Sequence, residues 1–244
     1  MGVVWPVLGF CEPIASWLHA GGAIVAVLST RSLYRSAATP GASLALGLFG
    51  AAVVMSLTVS GVYHAIDTEA GARAVFQRLD HAFIWVLIAA TFTPVHVILF
   101  RGPWRWAMLS VIWGCAAAGV ALKTIFFADV SPGLGLALYL VLGWLGAVSA
   151  AKIWHQDGRR AIHLLLAGGL LYSIGGVASV AEMPVVIPGY LGPHELFHMA
   201  VLAALFAHWR FMHSAIAMRA TALGACELVP GTLPRAQLRA TMVR

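Results

Sequence analysis

The feature that most constrains this chain is a succession of long apolar runs that continues almost to its carboxyl end. A transmembrane helix needs about 20 predominantly apolar residues, at a rise of ~1.5 Å per residue. Runs of roughly this length lie at residues 14–30, 41–64, 79–100, 105–127, 132–153, 161–181 and 193–214, separated by short charged or turn-forming segments. The sequence therefore predicts an all-α integral membrane protein, a bundle of seven transmembrane helices.

The composition excludes a water-soluble globular protein. Hydrophobic residues make up 61% of the 244 positions and charged residues only 10%, whereas soluble proteins carry about 25% charged residues. We predict a single seven-helix transmembrane domain over residues 1–220, with no large extramembrane domain. Residues 221–244 are too polar to span a membrane and are predicted to form a flexible cytoplasmic tail.

The chain is basic, with 15 Lys and Arg against 9 Asp and Glu and a net charge of +6. In a polar protein this balance would suggest a nucleic-acid partner. Here the basic residues are distributed over several loops and the tail, so the sequence predicts membrane lipids as partners and no nucleic acid. It leaves the oligomeric state open.

The basic residues also predict the orientation. The amino-terminal side of the seven spans carries three, which are Arg73, Arg78 and Lys123. The opposite side carries nine before the distal tail, which are Arg31, Arg35, Arg101, Arg105, Lys152, Arg159, Arg160, Arg210 and Arg219. Because basic loops stay in the cytoplasm, we expect a multi-pass protein of the inner (plasma) membrane with its amino terminus outside and its carboxyl terminus in the cytoplasm.

Several ionisable side chains fall at one membrane depth. Such groups are costly inside a bilayer and usually mark a functional site. They are Glu12 and His19 at the start of the first span, His64 at the end of the second, Asp80 and His81 at the start of the third, and His194 and His198 at the start of the seventh. All odd-numbered spans begin on the side where the second ends, so these groups share one end of the bundle.

Three of these histidines indicate a metal site. His194 and His198 are four residues apart, so on a helix they share a face with ~5–6 Å between them. Such a pair alone also fits two interfacial histidines. His64 at the same depth favours a set of three neutral imidazoles, the ligand set of an open, catalytic-type zinc site. We therefore predict Zn²⁺ as the cofactor, held by His64, His194 and His198.

Asp80 and Ser60 are the candidate catalytic side chains. A carboxylate at this depth must pair, protonate or approach a cation. Three interpretations of Asp80 stay open: a hydrogen bond to water at the metal, direct ligation, or a salt bridge to Arg78. Ser60 lies one turn before His64 and points the same way, although its hydroxyl also fits a hydrogen bond to the carbonyl four residues earlier.

The remaining histidines are predicted to lie outside this site. His208 lies ~15 Å beyond His198 along the same helix and is expected to be buried and hydrogen-bonded. His81 lies ~100° around its helix from Asp80 and is expected to bind a neighbouring backbone group. His96 belongs to no constellation and is expected at a loop, an interface or a solvated position.

Four sequence motifs occur in order along the second, third, sixth and seventh spans. They are Ser60-x-x-x-His64, Leu79-Asp80-His81 running on to Thr93-Pro94, Leu170-Leu171-Tyr172-Ser173-Ile174-Gly175, and His194-x-x-x-His198 with the later His208. With them the chain resembles the hemolysin III family, bacterial relatives of the progestin and adiponectin receptors. The opening from Glu12 to His19 is similar to the family's first motif, with Ala15 in place of its usual asparagine.

The resemblance implies a seven-helix fold whose zinc is held by His64, His194 and His198, with Asp80 and Ser60 around the fourth position. The wider superfamily includes alkaline ceramidases, which implies hydrolysis of a lipid amide. The orientation predicted for this chain differs from that of the adiponectin receptors. Adiponectin receptors have a cytosolic amino terminus with zinc near that face, whereas the basic residues here predict the opposite orientation.

Three functions follow as hypotheses. The first is a zinc-dependent, ceramidase-like lipid hydrolase in membrane lipid homeostasis, in which Asp80 accepts a proton from water and Ser60 donates to the developing oxyanion. The second is a pore-forming cytolysin, although polar residues clustered at one end do not form a polar path across the bilayer. The third is a non-enzymatic regulator of the membrane in which zinc is structural.

Overall fold

The computed structural model describes residue 7 and residues 9–227, with side chains to residue 220. Helices account for most of this part of the chain. They are α1 (Pro13–Ser36), α2 (Pro40–Ala65), α3 (Gly71–Leu99), α4 (Pro103–Ile125), α5 (Pro132–Trp144), α6 (Gly146–Asp157), α7 (Arg159–Val180) and α8 (Pro193–Glu227), with a short 3₁₀ turn at Phe127–Asp129. Two isolated bridges are the only β pairing within the described residues.

The prediction of an all-α bundle with seven membrane spans is confirmed. Seven segments are long and apolar enough to cross a bilayer. Six of them are single helices, and the fifth, Pro132–Asp157, consists of α5 and α6 in succession. The break falls at Leu145, between Gly143 and Gly146, where glycines weaken the helix.

Three helices extend well past the predicted spans, and the largest extension is that of α8, which ends at Glu227 rather than at residue 214. Helix α3 begins at Gly71 rather than at residue 79, so Arg73 and Arg78 lie on the helix and not in a loop. Helix α1 continues past residue 30 to Ser36 and includes Arg31. These errors have one cause. The apolar run that predicts a span ends at the first charged residues, whereas the hydrogen-bonded helix continues through the polar edge of the membrane.

Prolines and side-chain caps determine where many helices begin. Five helices, α1, α2, α4, α5 and α8, begin with proline as their first residue, where the missing N–H costs nothing. The Thr39 hydroxyl accepts a hydrogen bond from the Ala42 N–H at 3.2 Å. At the start of α8 the Glu195 carboxylate accepts a hydrogen bond from the Gly192 N–H at 2.8 Å, one half of a capping box.

The helices pack in an order that brings the end of α2 next to the start of α8. Consecutive helices α1 to α4 pack pairwise, as do α7 and α8, and α8 also returns to contact α1 and α3. Phe49, Leu46, Phe211 and Met212 are almost fully buried in the resulting core. Because α8 runs antiparallel to α2, its first turns lie next to the last turn of α2.

The predicted tail lies largely outside the described residues. Helix α8 continues beyond residue 220 to Glu227. The flexible cytoplasmic tail over residues 221–244 therefore stays a prediction.

Candidate metal centre

Three histidines from two helices meet at one end of the bundle. His64 comes from the last turn of α2, and His194 and His198 come from the first two turns of α8. Their ligand nitrogens all lie within 4.8 Å of one another. The Nε2 atoms of His194 and His198 are 3.0 Å apart. The juxtaposition predicted from the sequence is therefore present.

The donor set fits a zinc ion. Two nitrogens that bind zinc at ~2.0–2.1 Å in tetrahedral geometry are roughly 3.3 Å apart, close to the separation of the His194 and His198 Nε2 atoms. His64 and His198 are 1% and 3% exposed. The His64 Nε2 atom is buried without a hydrogen-bond partner among the described residues. A cation at the centre of the three rings would satisfy it.

A carboxylate that the sequence analysis left without a role orients His64. The Nδ1 atom of His64 lies 2.7 Å from Oε2 of Glu12. Nδ1 therefore donates to the carboxylate, which leaves Nε2 as the free ligand atom. Metal-binding histidines usually carry a carboxylate or carbonyl on their other nitrogen, which fixes the ring and raises its basicity. The same Glu12 oxygen lies 4.0 Å from Nε2 of His194.

Glu12 is itself held in place from both sides. Its backbone N–H donates to the His64 carbonyl at 2.9 Å, so the start of α1 is tied to the end of α2. The Arg73 guanidinium forms a salt bridge with Oε1 of Glu12 and lies 4.7 Å from the centre of the Tyr63 ring. The carboxylate thus bridges a metal-site histidine and a fixed arginine.

These contacts keep Glu12 ionised. Burial of the carboxylate raises its pKa, but the hydrogen bond and charge of His64, followed by the hydrogen bond from Arg73, lower the pKa by more. The pKa falls from its ordinary value of 4.5 to about 2. Glu12 is therefore an anion at neutral pH, the form that accepts a hydrogen bond from His64.

His19 forms a further wall of the site. Its ring centre lies 4.3 Å from that of His198 and 6.3 Å from that of His64. The side chain is buried, and neither ring nitrogen has a hydrogen-bond partner among the described residues. His19 lies outside the group of three ligand nitrogens, so it contacts the centre without belonging to the ligand set.

Ser60 and Asp80 lie beside the three histidines. The buried Ser60 hydroxyl is next to the Asp80 carboxylate, whose charge also acts on His64. Asp80 is not one of the clustered ligand residues. Arg78 donates to the Thr124 carbonyl at 2.8 Å and, within the described part of the chain, makes no ion pair with Asp80. Of the three interpretations of Asp80, neither direct ligation beside the three histidines nor a salt bridge to Arg78 is seen among the described residues.

Comparison with known proteins shows the family of this chain. Residues 10–209 match the family described as Haemolysin-III related. The chain belongs to this family.

Relatives of this Haemolysin-III related protein occur in bacteria and plants. Hemolysin-3 of Bacillus cereus is 32% identical over 195 residues, 78% of this chain and 85% of the relative. The Hemolysin-3 homolog of Bacillus subtilis is 29% identical over 202 residues, 80% and 91% of the two chains. The heptahelical transmembrane protein ADIPOR2 of Oryza sativa is 30% identical over 186 residues, 70% and 81% of the two chains.

The other histidines of the Haemolysin-III related protein lie apart from the centre. His208 is buried and its Nε2 lies 3.3 Å from the Leu165 carbonyl, as expected. The His81 ring packs edge-on against Phe127, and its Nδ1 has no hydrogen-bond partner within the described residues, so the expected backbone contact is not made by that atom. The expectation for His96 is wrong. It is fully buried, and its Nε2 lies 3.0 Å from the Ser149 hydroxyl.

Sequence reasoning placed Glu12 at the same end of the bundle as the three histidines without assigning its partner, and it missed Arg73. Glu12 and His64 are separated by 52 residues, and Glu12 and Arg73 by 61. The family's opening motif pointed to Glu12 without showing what it binds. Nothing in the sequence set Arg73 apart from other charges at a span boundary.

Proposed function

We propose that this Haemolysin-III related protein is a zinc-dependent hydrolase that cleaves an amide bond in a membrane lipid and so acts in membrane lipid homeostasis. One observation carries the proposal: three imidazole nitrogens converge at one end of the bundle beside the carboxylate of Asp80. Three histidines with an open fourth position are the arrangement of catalytic rather than structural zinc.

The chain's own residues have separate roles in this proposal. Zinc held by His64, His194 and His198 supplies Lewis-acid activation of water and of a carbonyl. Asp80 accepts a proton from the attacking water at a carboxylate oxygen and returns it to the leaving amine nitrogen as the carbonyl–nitrogen bond breaks. Because the Ser60 hydroxyl lies next to Asp80, we assign Ser60 the role of orienting this base, in preference to the oxyanion contact inferred from sequence.

The location of the centre supports a lipid substrate. The three histidines lie at the ends of helices that are long and apolar enough to span a membrane. We therefore place them near the depth where a lipid's polar linkage meets its acyl chains. His194 is the most accessible of them, with 32% of its side chain exposed. We propose that a lipid amide reaches the centre through this exposed side of His194.

The proposed orientation places this centre outside the cytoplasm. Nine basic residues lie at the end of the spans opposite the histidines and three at the histidine end. The positive-inside rule then assigns the amino terminus and the histidine centre to the outer face of the inner membrane. Cysteine accessibility labelling of Glu69→Cys and Asp157→Cys, which lie at opposite ends, checks this assignment in intact cells.

The experiment for the hydrolase uses zinc-loaded, detergent-purified protein in mixed micelles with long-chain ceramides and a panel of other lipid amides and esters. Released fatty acid is measured by mass spectrometry. We expect Asp80→Asn to lower the rate by roughly 10²–10⁴-fold, and Asp129→Asn, an exposed carboxylate at the same end, to leave it unchanged. Zinc-loaded wild-type protein that cleaves none of these lipids would overturn the proposal.

A second candidate function is pore formation, favoured by the name of the Bacillus cereus relative, Hemolysin-3. Current recordings in planar bilayers decide it, because a pore conducts ions without hydrolysing lipid.

The third hypothesis, a non-enzymatic regulator with structural zinc, makes a different prediction. The protein would bind zinc but would neither conduct ions nor cleave lipid. Its cellular effect would survive Asp80→Asn but not His64→Ala.

A further inference from the structure

The last turns of α1 carry one continuous stripe that changes from apolar to cationic. Ile24, Leu28, Arg31 and Arg35 follow one another at spacings of four, three and four residues, so they share one helix face. Ile24 is 66% and Leu28 is 71% exposed, and both arginines are exposed. The stripe therefore presents an acyl-chain surface that ends in two guanidinium groups, at the membrane edge opposite the three histidines.

Two open hollows adjoin at this stripe and share Ser32. The first is about 490 Å³ and is lined by Leu28, Arg31, Ser32, Arg35 and Ser36. The second is about 420 Å³, lies between α1 and α8, and is lined by Ser32, Trp209, Arg210, His213, Ser214 and Ala217. We call the two together the α1/α8 groove. Each hollow is an open depression of the surface rather than an enclosed cavity, so a group larger than a water molecule can enter it.

The positive charge of the α1/α8 groove is not neutralised by the protein. Within the described part of the chain, Arg31, Arg35 and Arg210 make no ion pair. Asp157 is the one acidic side chain described at this end of the spans, and it lines neither hollow. Arginine binds phosphate through paired N–H donors, and the serine hydroxyls add further donors. The groove is therefore complementary to an anion.

Two ring nitrogens without partners lie beside Arg210. The indole Nε1 of Trp209 and the Nε2 of His213 are buried without hydrogen-bond partners among the described residues. Their rings are in contact, with centres 4.5 Å apart. Tryptophan is enriched at the level of the lipid headgroups.

We propose that the α1/α8 groove binds an anionic phospholipid, with the headgroup phosphate held by Arg31, Arg35 and Arg210 and one acyl chain along Leu28 and Ile24. The apolar half of the stripe decides between sources of phosphate, because a nucleic acid or a free ion would leave Leu28 and Ile24 unused. Basic residues at a membrane surface favour the binding of anionic lipids. This proposal is independent of zinc binding and of hydrolysis.

Native mass spectrometry of the detergent-purified full-length protein tests the groove. The probes are dioleoyl phosphatidylglycerol and dioleoyl phosphatidylcholine, which share acyl chains and differ in net charge. The test variant is Arg31→Gln/Arg35→Gln/Arg210→Gln. The control variant, Arg101→Gln/Arg159→Gln/Arg160→Gln, removes the same charge from exposed arginines at the same end. We expect phosphatidylglycerol binding to fall roughly tenfold or more in the test variant and about twofold or less in the control.

Two results would overturn the proposal. Equal losses in the test and control variants would show a diffuse basic surface rather than a site, and equal retention of the two lipids by wild-type protein would remove the headgroup assignment. The acyl contact has its own test that leaves the charge unchanged. Leu28→Ser should weaken phosphatidylglycerol binding, whereas Leu44→Ser, at an equally exposed position near the same end on α2, should not.

Discussion

The Nδ1 atom of His64 lies 2.7 Å from the carboxylate of Glu12, and this hydrogen bond determines which nitrogen of His64 faces the other two histidines. Arg73 holds the same carboxylate from its other side. The geometry of the three-histidine cluster therefore depends on the start of α1 as well as on α2 and α8.

We predict that Glu12→Gln lowers zinc affinity by about 10–100-fold, the usual cost of losing the carboxylate behind a ligating histidine. The amide is a weaker acceptor and carries no charge to favour the metal. Competition with a chromophoric chelator measures the affinity. Glu69→Gln removes an exposed carboxylate at the same end and serves as the control. Equal affinities in the two variants would show that Glu12 does not support the metal.

Zinc removal is predicted to destabilise the protein. A ligand that binds only the folded state adds about 2.7 kcal/mol at a free concentration 100 times its Kd. The Tm of detergent-purified protein should therefore fall after chelation and recover on zinc addition. His64→Ala should respond to neither treatment, and a variant that still responds would exclude His64 as a ligand.

Gly168→Ala is predicted to destabilise the bundle. A Cβ atom at residue 168 would lie 2.3 Å from the His208 Nε2 atom, whereas one at residue 169 would meet nothing within 4 Å. Overpacking of this kind costs about 1–3 kcal/mol, so the Tm of Gly168→Ala should drop while that of Gly169→Ala stays near the wild-type value. Equal Tm values would show that His208 can move aside freely.

Ser149→Ala is predicted to lower the free energy of unfolding by about 1–3 kcal/mol, because it leaves a buried imidazole without its partner. His96 and Ser149 are 0% and 1% exposed, and the Nε2–Oγ distance is 3.0 Å. Denaturant titration in mild detergent measures the change. Ser36→Ala, at the exposed end of α1, should change the value by less than about 0.5 kcal/mol. A similar effect of the two substitutions would contradict a structural role for the His96 hydrogen bond.

Hydropathy was sufficient to predict the seven spans, because each buries an apolar stretch of membrane length. It placed the start of α3 too late, since Arg73 and Arg78 interrupt the apolar pattern but not the helix. It also gave no sign of the break at Leu145, which changes local geometry without changing hydrophobicity.

The histidine cluster could be predicted because successive spans alternate in direction, so the second span ends on the side where the seventh begins. The four-residue spacing of His194 and His198 then places both at the depth of His64. The contacts of Glu12 and His96 could not be predicted. Their partners, His64 and Ser149, are 52 and 53 residues away in sequence. Which side chain faces which across two helices depends on helix rotation, and neither length nor composition determines that rotation.

The most direct test of the account is the metal content of detergent-purified protein, measured by inductively coupled plasma mass spectrometry after purification without chelators. Wild-type protein is compared with His64→Ala, His198→Ala and, as a control outside the centre, His163→Ala. The account predicts about one zinc per chain in wild type and His163→Ala, and its loss in His64→Ala and His198→Ala. Wild-type protein without zinc, or zinc retained in both His64→Ala and His198→Ala, would contradict the three-histidine centre.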